Sequence, residues 1–114
     1  MKRIILLAFL CTTTLVMAQR INHVQEAIAN YDYEAALTLI AKEKPTIPLL
    51  LQKGKAQRGL GMNTEALSTY QEIIANDTAN TRAYIEAAEC CRSLAKYQQA
   101  LKYYEQALDL NPEN

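Results

Sequence analysis

A gapless shift of 34 positions lays residues 47–80 on residues 81–114. Arg58 falls on Arg92, Leu60 on Leu94, Ala66 on Ala100, Leu67 on Leu101, Tyr70 on Tyr104 and Asn80 on Asn114. Ile74 meets the similar Leu108. Self-similarity at a fixed period of this length marks a stacked repeat, in which one supersecondary unit cannot bury its apolar face alone. Within the last window Tyr84, Ala87, Ala88 and Cys91 recur at helical spacing. After a turn at residues 94–97, Ala100, Leu101, Tyr104, Ala107 and Leu108 recur on a second helical face. Small residues where two helices meet, with a large one a turn away, suit close antiparallel packing. Pro112 closes the second helix.

These windows resemble the tetratricopeptide repeat (TPR), a helix-turn-helix unit of the same length. The last window supplies the family's pattern with Tyr84, Ala88, Ala100, Tyr104, Ala107 and Pro112. Its tail, ALKYYEQALDLNPEN, is highly specific. The middle window supplies Leu50, Gly54, Ala66 and Tyr70, and departs at Ile73 and Thr78. The resemblance implies an all-α fold of antiparallel helix pairs stacked as a short right-handed solenoid.

Residues 19–46 read as a degenerate first helix pair. His23, Ala27 and Ile28 share one face of its first helix, and Tyr33, Ala36, Leu37 and Ile40 follow helical spacing in its second. Asn30-Tyr31-Asp32 is turn chemistry, with Asp32 as the N-cap of the second helix. Ala36 and Ala66 are 30 positions apart rather than 34. The first unit therefore loses about four residues, and its second helix is expected to end at Lys44-Pro45. Pro48 suits the first turn of the following helix. The mature chain is thus three helix pairs, about the minimum for a stable stack. Such arrays need a polar cap, and none follows Asn114 in this sequence. The apolar edge of the last pair is expected to continue into a longer array or to be covered by another copy or a partner.

Residues 1–18 have the form of a secretory leader. Lys2 and Arg3 precede the apolar stretch of residues 4–16, and Val16-Met17-Ala18 offers a cleavage site before Gln19. The run is shorter than the roughly 20 residues a membrane span needs, so no span is expected after cleavage. Leu10 before Cys11 argues against a lipidation site, which wants a small residue there. Export to a bacterial periplasm or outer membrane is the expected address.

Composition removes several function classes. A chain of 114 residues allows one domain at most. Half of it is apolar, with only three Gly and three Pro, which favours a helical domain over a disordered one. Twelve basic residues balance twelve acidic ones, so nothing marks a nucleic-acid binder. No Gly-rich phosphate loop, nucleophile elbow or HExxH motif occurs, the carboxylates are scattered, and an enzyme is not expected. Neither a metal nor another cofactor is expected. Cys90 and Cys91 invite a redox or vicinal-disulfide reading. They sit where a packing helix places small residues, and free cysteine behaves there as a small hydrophobe. A helix also points adjacent side chains about 100° apart, which opposes a bond between them. The lone His23 has no ligand partner in sequence. Tyr70, Tyr84, Tyr97 and Tyr104 take packing positions of the family, and Tyr103 falls on the outer face of its helix.

The resemblance implies a concave surface lined by the first helix of each pair. In the middle window this surface presents Pro48, Leu51, Lys55, Arg58 and Gly59, and in the last Arg82, Ile85, Glu89, Arg92 and Ser93. The site expected to hold a partner is Leu51, Lys55, Arg58, Arg82, Ile85, Glu89 and Arg92, an apolar strip with excess positive charge. Arginine there takes carboxylates in bidentate fashion. Family members that grip a C-terminal carboxylate use Lys and Asn where this chain has Leu51 and Lys55, then Ile85 and Glu89, so that clamp is absent. The function implied is non-catalytic binding of a protein or peptide. The alternatives are self-association through the uncapped end and service as the N-terminal arm of a longer envelope enzyme or sensor.

Overall fold

The computed structural model describes the backbone of residues 2–113 and the side chains of residues 14–16 and 18–113. The described residues form helices only: α1 (Lys2–Ala29), α2 (Tyr33–Ile40), α3 (Ile47–Gly59), α4 (Asn63–Asn76), α5 (Thr81–Ser93) and α6 (Tyr97–Leu110). The pairs are α1/α2, α3/α4 and α5/α6, and α2 and α4 each also pack against the helix that follows. This is the all-helical repeat fold that the family resemblance implies. Residues 1–13 of the leader, with Cys11, and Met17 lie outside the residues whose side chains are described. Among the described residues no helix is long and apolar enough to cross a membrane.

The turn inside each pair is built the same way. Asp32 N–H donates to Ala27 O, Met62 N–H to Gln57 O and Lys96 N–H to Cys91 O, each at 2.8 Å. A second bond runs from the preceding residue: Tyr31 to Ile28, Gly61 to Arg58, Ala95 to Arg92. This is the Schellman closure, which satisfies the last carbonyls of a helix by placing one residue in the left-handed region. That residue is Tyr31 (φ 60°), Gly61 (φ 75°) and Ala95 (φ 60°) in turn. Their spacing repeats the 30-then-34 step of the alanines. Asp32, Thr46 and Asn80 cap the next helices by accepting from Ala35 N, Leu49 N and Ala83 N, and Pro48 stands in the first turn of α3.

The core divides into two layers that meet on α3. Leu49 packs with Val24, Ala27, Ile28, Ala36 and Ile40. Its neighbour Leu50 packs with Leu67, Tyr70, Ile73, Ala87 and Cys90. Each layer belongs to adjacent helices only, as expected of a quasi-one-dimensional stack. Gly54 lets α4 approach α3 closely: a Cβ there would lie 2.7 Å from Tyr70 Cε1 and Oη.

Four details differ from the sequence reading. The buried face of α1 is Val24, Ala27 and Ile28, and His23 is exposed. Helix α2 ends at Ile40, earlier than Lys44-Pro45. Pro45 disfavours the helical conformation at Lys44 and has no N–H to bond the Ala41 carbonyl, and Lys42 N–H and Glu43 N–H close the end on Leu39 and Ile40 carbonyls. Tyr103 is half-buried against Tyr84, ring centroids 6.3 Å apart, and accepts a hydrogen bond from Gln71 of α4. Tyr97, expected at a packing position, is 66% exposed; Leu101 and Leu108, on the edge expected to stay open in this sequence, are 58% and 48% exposed, whereas Leu67, the equivalent of Leu101, is 5% exposed. Helix α5 covers Leu67; no described helix lies on that side of α6.

Candidate functional site

Helix α3 has two unlike faces. At 3.6 residues per turn Leu49, Lys53 and Gln57 lie on one side, and Pro48, Leu51, Lys55 and Arg58 on the other. The first side packs against α2 and α4. The second carries half-buried Leu51 and exposed Lys55. Leu51 and Lys55 join Pro48, Gln52 and Arg82 of α5 around a depression of about 200 Å³. A neighbouring depression of about 400 Å³ shares Gln52 and Lys55 and extends to Gln25, Ala29, Tyr31 and Tyr33. The two make one furrow running from α1 across α3 to the start of α5.

The structure sorts the expected cations into free and engaged. Arg58 is partly buried and bonds Glu86 of α5, which ties the first helices of consecutive pairs. Burial opposes the Arg58 charge, yet the charge and hydrogen bond of Glu86 hold the guanidinium above its ordinary range. Arg92 pairs with Glu89 one turn away at 2.6 Å, and Glu89 also accepts from Tyr104 Oη at 2.7 Å. The Tyr104 bond first, then Arg92, keeps the Glu89 carboxyl below its usual range. Lys55 and Arg82 are exposed and carry no ion pair among the described residues. Leu51, Lys55 and Arg82 are thus brought together. Ile85 is half-buried farther along α5, followed by the neutralised Glu89–Arg92 couple.

Gln25, Tyr31 and Gln52 belong to this furrow and were not legible as site residues. Tyr31 is 79% exposed at positive φ, with its ring edge-on to Tyr33 at 6.3 Å. A bulky side chain in the left-handed region costs about 1 kcal/mol or more relative to glycine. Such a residue, standing exposed on a turn beside a furrow, is a functional candidate. The signal was present in the 30-residue step, which lays Tyr31 on Gly61.

Other chemistry-bearing groups are packed or isolated. Cys90 and Cys91 are fully buried and free. Burial pushes the Cys90 thiol up to about 11 and raises Cys91 too, so both are poor nucleophiles. His23 is exposed beside Glu26 at 3.9 Å. Among the described residues no cluster of three or more His, Cys, Asp and Glu side chains is arranged to hold a metal ion.

Comparison with known proteins gives the fold a name. Residues 81–114 match the family model of the tetratricopeptide repeat. The chain is similar in structure to PcrH in its crystal structure in complex with the chaperone binding region of PopB. The TM-score is 0.80 over 87% of this chain and 83% of that one, at 18% sequence identity. At that identity the likeness is one of fold. No curated protein matches the sequence.

Proposed function

We propose that this chain is a non-catalytic interaction module that holds a segment of a partner protein along the α1–α3–α5 furrow. The observation that carries the reading is the meeting of two exposed cations without an ion pair among the described residues, Lys55 and Arg82, with the apolar Leu51 in one depression. The segment that fits is an extended peptide with an apolar residue next to one or two acidic ones. Arg82 offers a carboxylate a bidentate partner, and Lys55 a point charge. Tyr31 supplies an aromatic wall at the α1 end. PcrH, which has this fold, is seen with a segment of another protein, and that supports the reading.

The test is selection from a displayed peptide library followed by titration of the chosen peptides. Wild-type protein should select apolar–acidic sequences. The double variant Lys55→Glu/Arg82→Glu should bind them at least about tenfold more weakly, equivalent to 1.4 kcal/mol, with unchanged helix content. Tyr31→Gly should weaken binding while raising stability by about 1 kcal/mol, because it relieves the left-handed turn. Equal affinity in wild type and the double variant would retire the furrow.

We further propose that the chain acts outside the cytoplasm, in the bacterial envelope, after removal of residues 1–18. What supports this is the leader pattern, together with where α1 packs. Among its described side chains the buried ones, Val24, Ala27 and Ile28, lie beyond Gln19, and Thr14, Leu15, Val16 and Ala18 are exposed. Cell fractionation with N-terminal sequencing should find an envelope protein that begins at Gln19. A cytosolic chain retaining Met1 sinks this address.

A further inference from the structure

The short second helix opens a site on the opposite side of α3. Helices α4 and α6 are 14 residues long, and α2 is 8. In the second half of α4, Ile73 is fully buried; its equivalent in α6, Ala107, is 4% exposed. The 30-residue step assigns that place in the first pair to Glu43. There the chain has already left the helix, and Glu43, whose side chain pairs with Arg20 of α1 at 3.1 Å, lines the space that is left. No aliphatic side chain of the first pair takes the position of Ile73. Instead a cavity of about 420 Å³ lies there, walled by Leu37, Ile40, Pro45 and Leu49, with Lys53 and Glu72 at its margin.

The lining says what the cavity takes. Two polar side chains of its wall are already partnered: Gln57 Oε1 accepts from Thr69 at 2.7 Å, and Glu43 pairs with Arg20. The described residues leave no buried side-chain polar atom without a partner. The buried polar groups of the wall are therefore partnered, and the surface left between Leu37, Ile40, Pro45 and Leu49 favours aliphatic contact. At the margin Lys53 and Glu72 have no ion pair among the described residues.

We propose that this cavity docks one turn of an amphipathic α-helix from a partner protein, distinct from the segment in the furrow. Aliphatic side chains at i and i+3 or i+4 of that helix enter between α2 and α3 and replace the contacts that Ile73 makes in the next repeat. An acidic residue of the helix faces Lys53 and a basic one faces Glu72. The occupant is a helix because the neighbouring pair fills the same position with a helix of its own.

A synthetic peptide spanning residues 63–77 of this chain, which carries Ile73 and Ile74, serves as the probe. Titrated into the isotope-labelled full chain, it should shift the amide signals of Ile40, Leu49 and Lys53. Ala41 is exposed and lines the cavity, so Ala41→Trp fills the space from the solvent side. That variant should weaken the peptide at least tenfold with helix content retained, and Lys53→Glu should weaken it severalfold. Both should leave the acidic-peptide affinity of the furrow unchanged, which separates failure of this site from failure of the furrow. Absence of shifts at those three residues overturns the proposal. So does a response confined to Leu101 and Leu108 on α6, or binding that Ala41→Trp does not alter.

Discussion

Tyr70→Ala should lower the unfolding free energy by about 3–5 kcal/mol, the range for deleting a buried aromatic ring. Tyr70 is 1% exposed and belongs to the layer that runs from α3 to α6. Its ring occupies the space that Gly54 leaves open on α3. The loss should appear as a lower urea midpoint with little change in slope. Gly54→Ala tests the same contact from the other side. The extra methyl runs into the ring, and overpacking costs about 1–3 kcal/mol; alanine's better helix propensity returns about 1 kcal/mol. A neutral Tyr70→Ala would show that the α3–α4 layer repacks and that the glycine is not there for the ring.

Arg58→Glu should cost about 2–3 kcal/mol, somewhat less than the loss on breaking a fully buried pair. The two side chains keep 31% and 22% of their exposure, so water screens part of the interaction. The substitution puts a second carboxylate against Glu86 on the next repeat. The exchanged pair, Arg58→Glu with Glu86→Arg, should recover most of the loss, and urea titration of the four proteins gives the coupling directly. Additive effects of the two single changes would mean that the pair does not join α3 to α5. This result also guards the binding test. Loss of a partner in Arg58→Glu reports a loosened stack, whereas loss in Lys55→Glu/Arg82→Glu reports the furrow.

The repeat register carried most of the architecture. A 34-residue period fixes where helices start and stop, because small residues at helical spacing can face only a neighbouring helix. It placed Ala66, Tyr70, Ala87, Ala88 and Ala100 in the core and gave Cys90 and Cys91 a packing role; all are buried in the structure. The family resemblance, mapped by that register, also named Leu51, Lys55 and Arg82, which stand together at one depression. Two residues escaped for a common reason. Tyr31 looked like an ordinary turn residue until the Schellman closure put it in the left-handed region beside the furrow. Tyr103 looked like a surface residue until Tyr84 and Gln71 met it from neighbouring helices.

By itself the sequence determined the helix pairs, their phase and the face each presents, since these follow from periodicity and local capping along the chain. Which charges are free is a different kind of fact. Arg58 and Glu86 are 28 residues apart, and only the stacking of α3 against α5 makes them neighbours. Among the described residues Lys55 and Arg82 have no ion pair, because that same stacking brings no described carboxylate into salt-bridge distance of them. The cavity behind α3 has the same origin. Pro45 in the sequence ends α2 early, but only the fixed spacing of α2, α3 and α4 turns the missing turn of helix into an open, apolar space. Electrostatic pairing and packing voids depend on distances through space, and the stacked fold sets those distances.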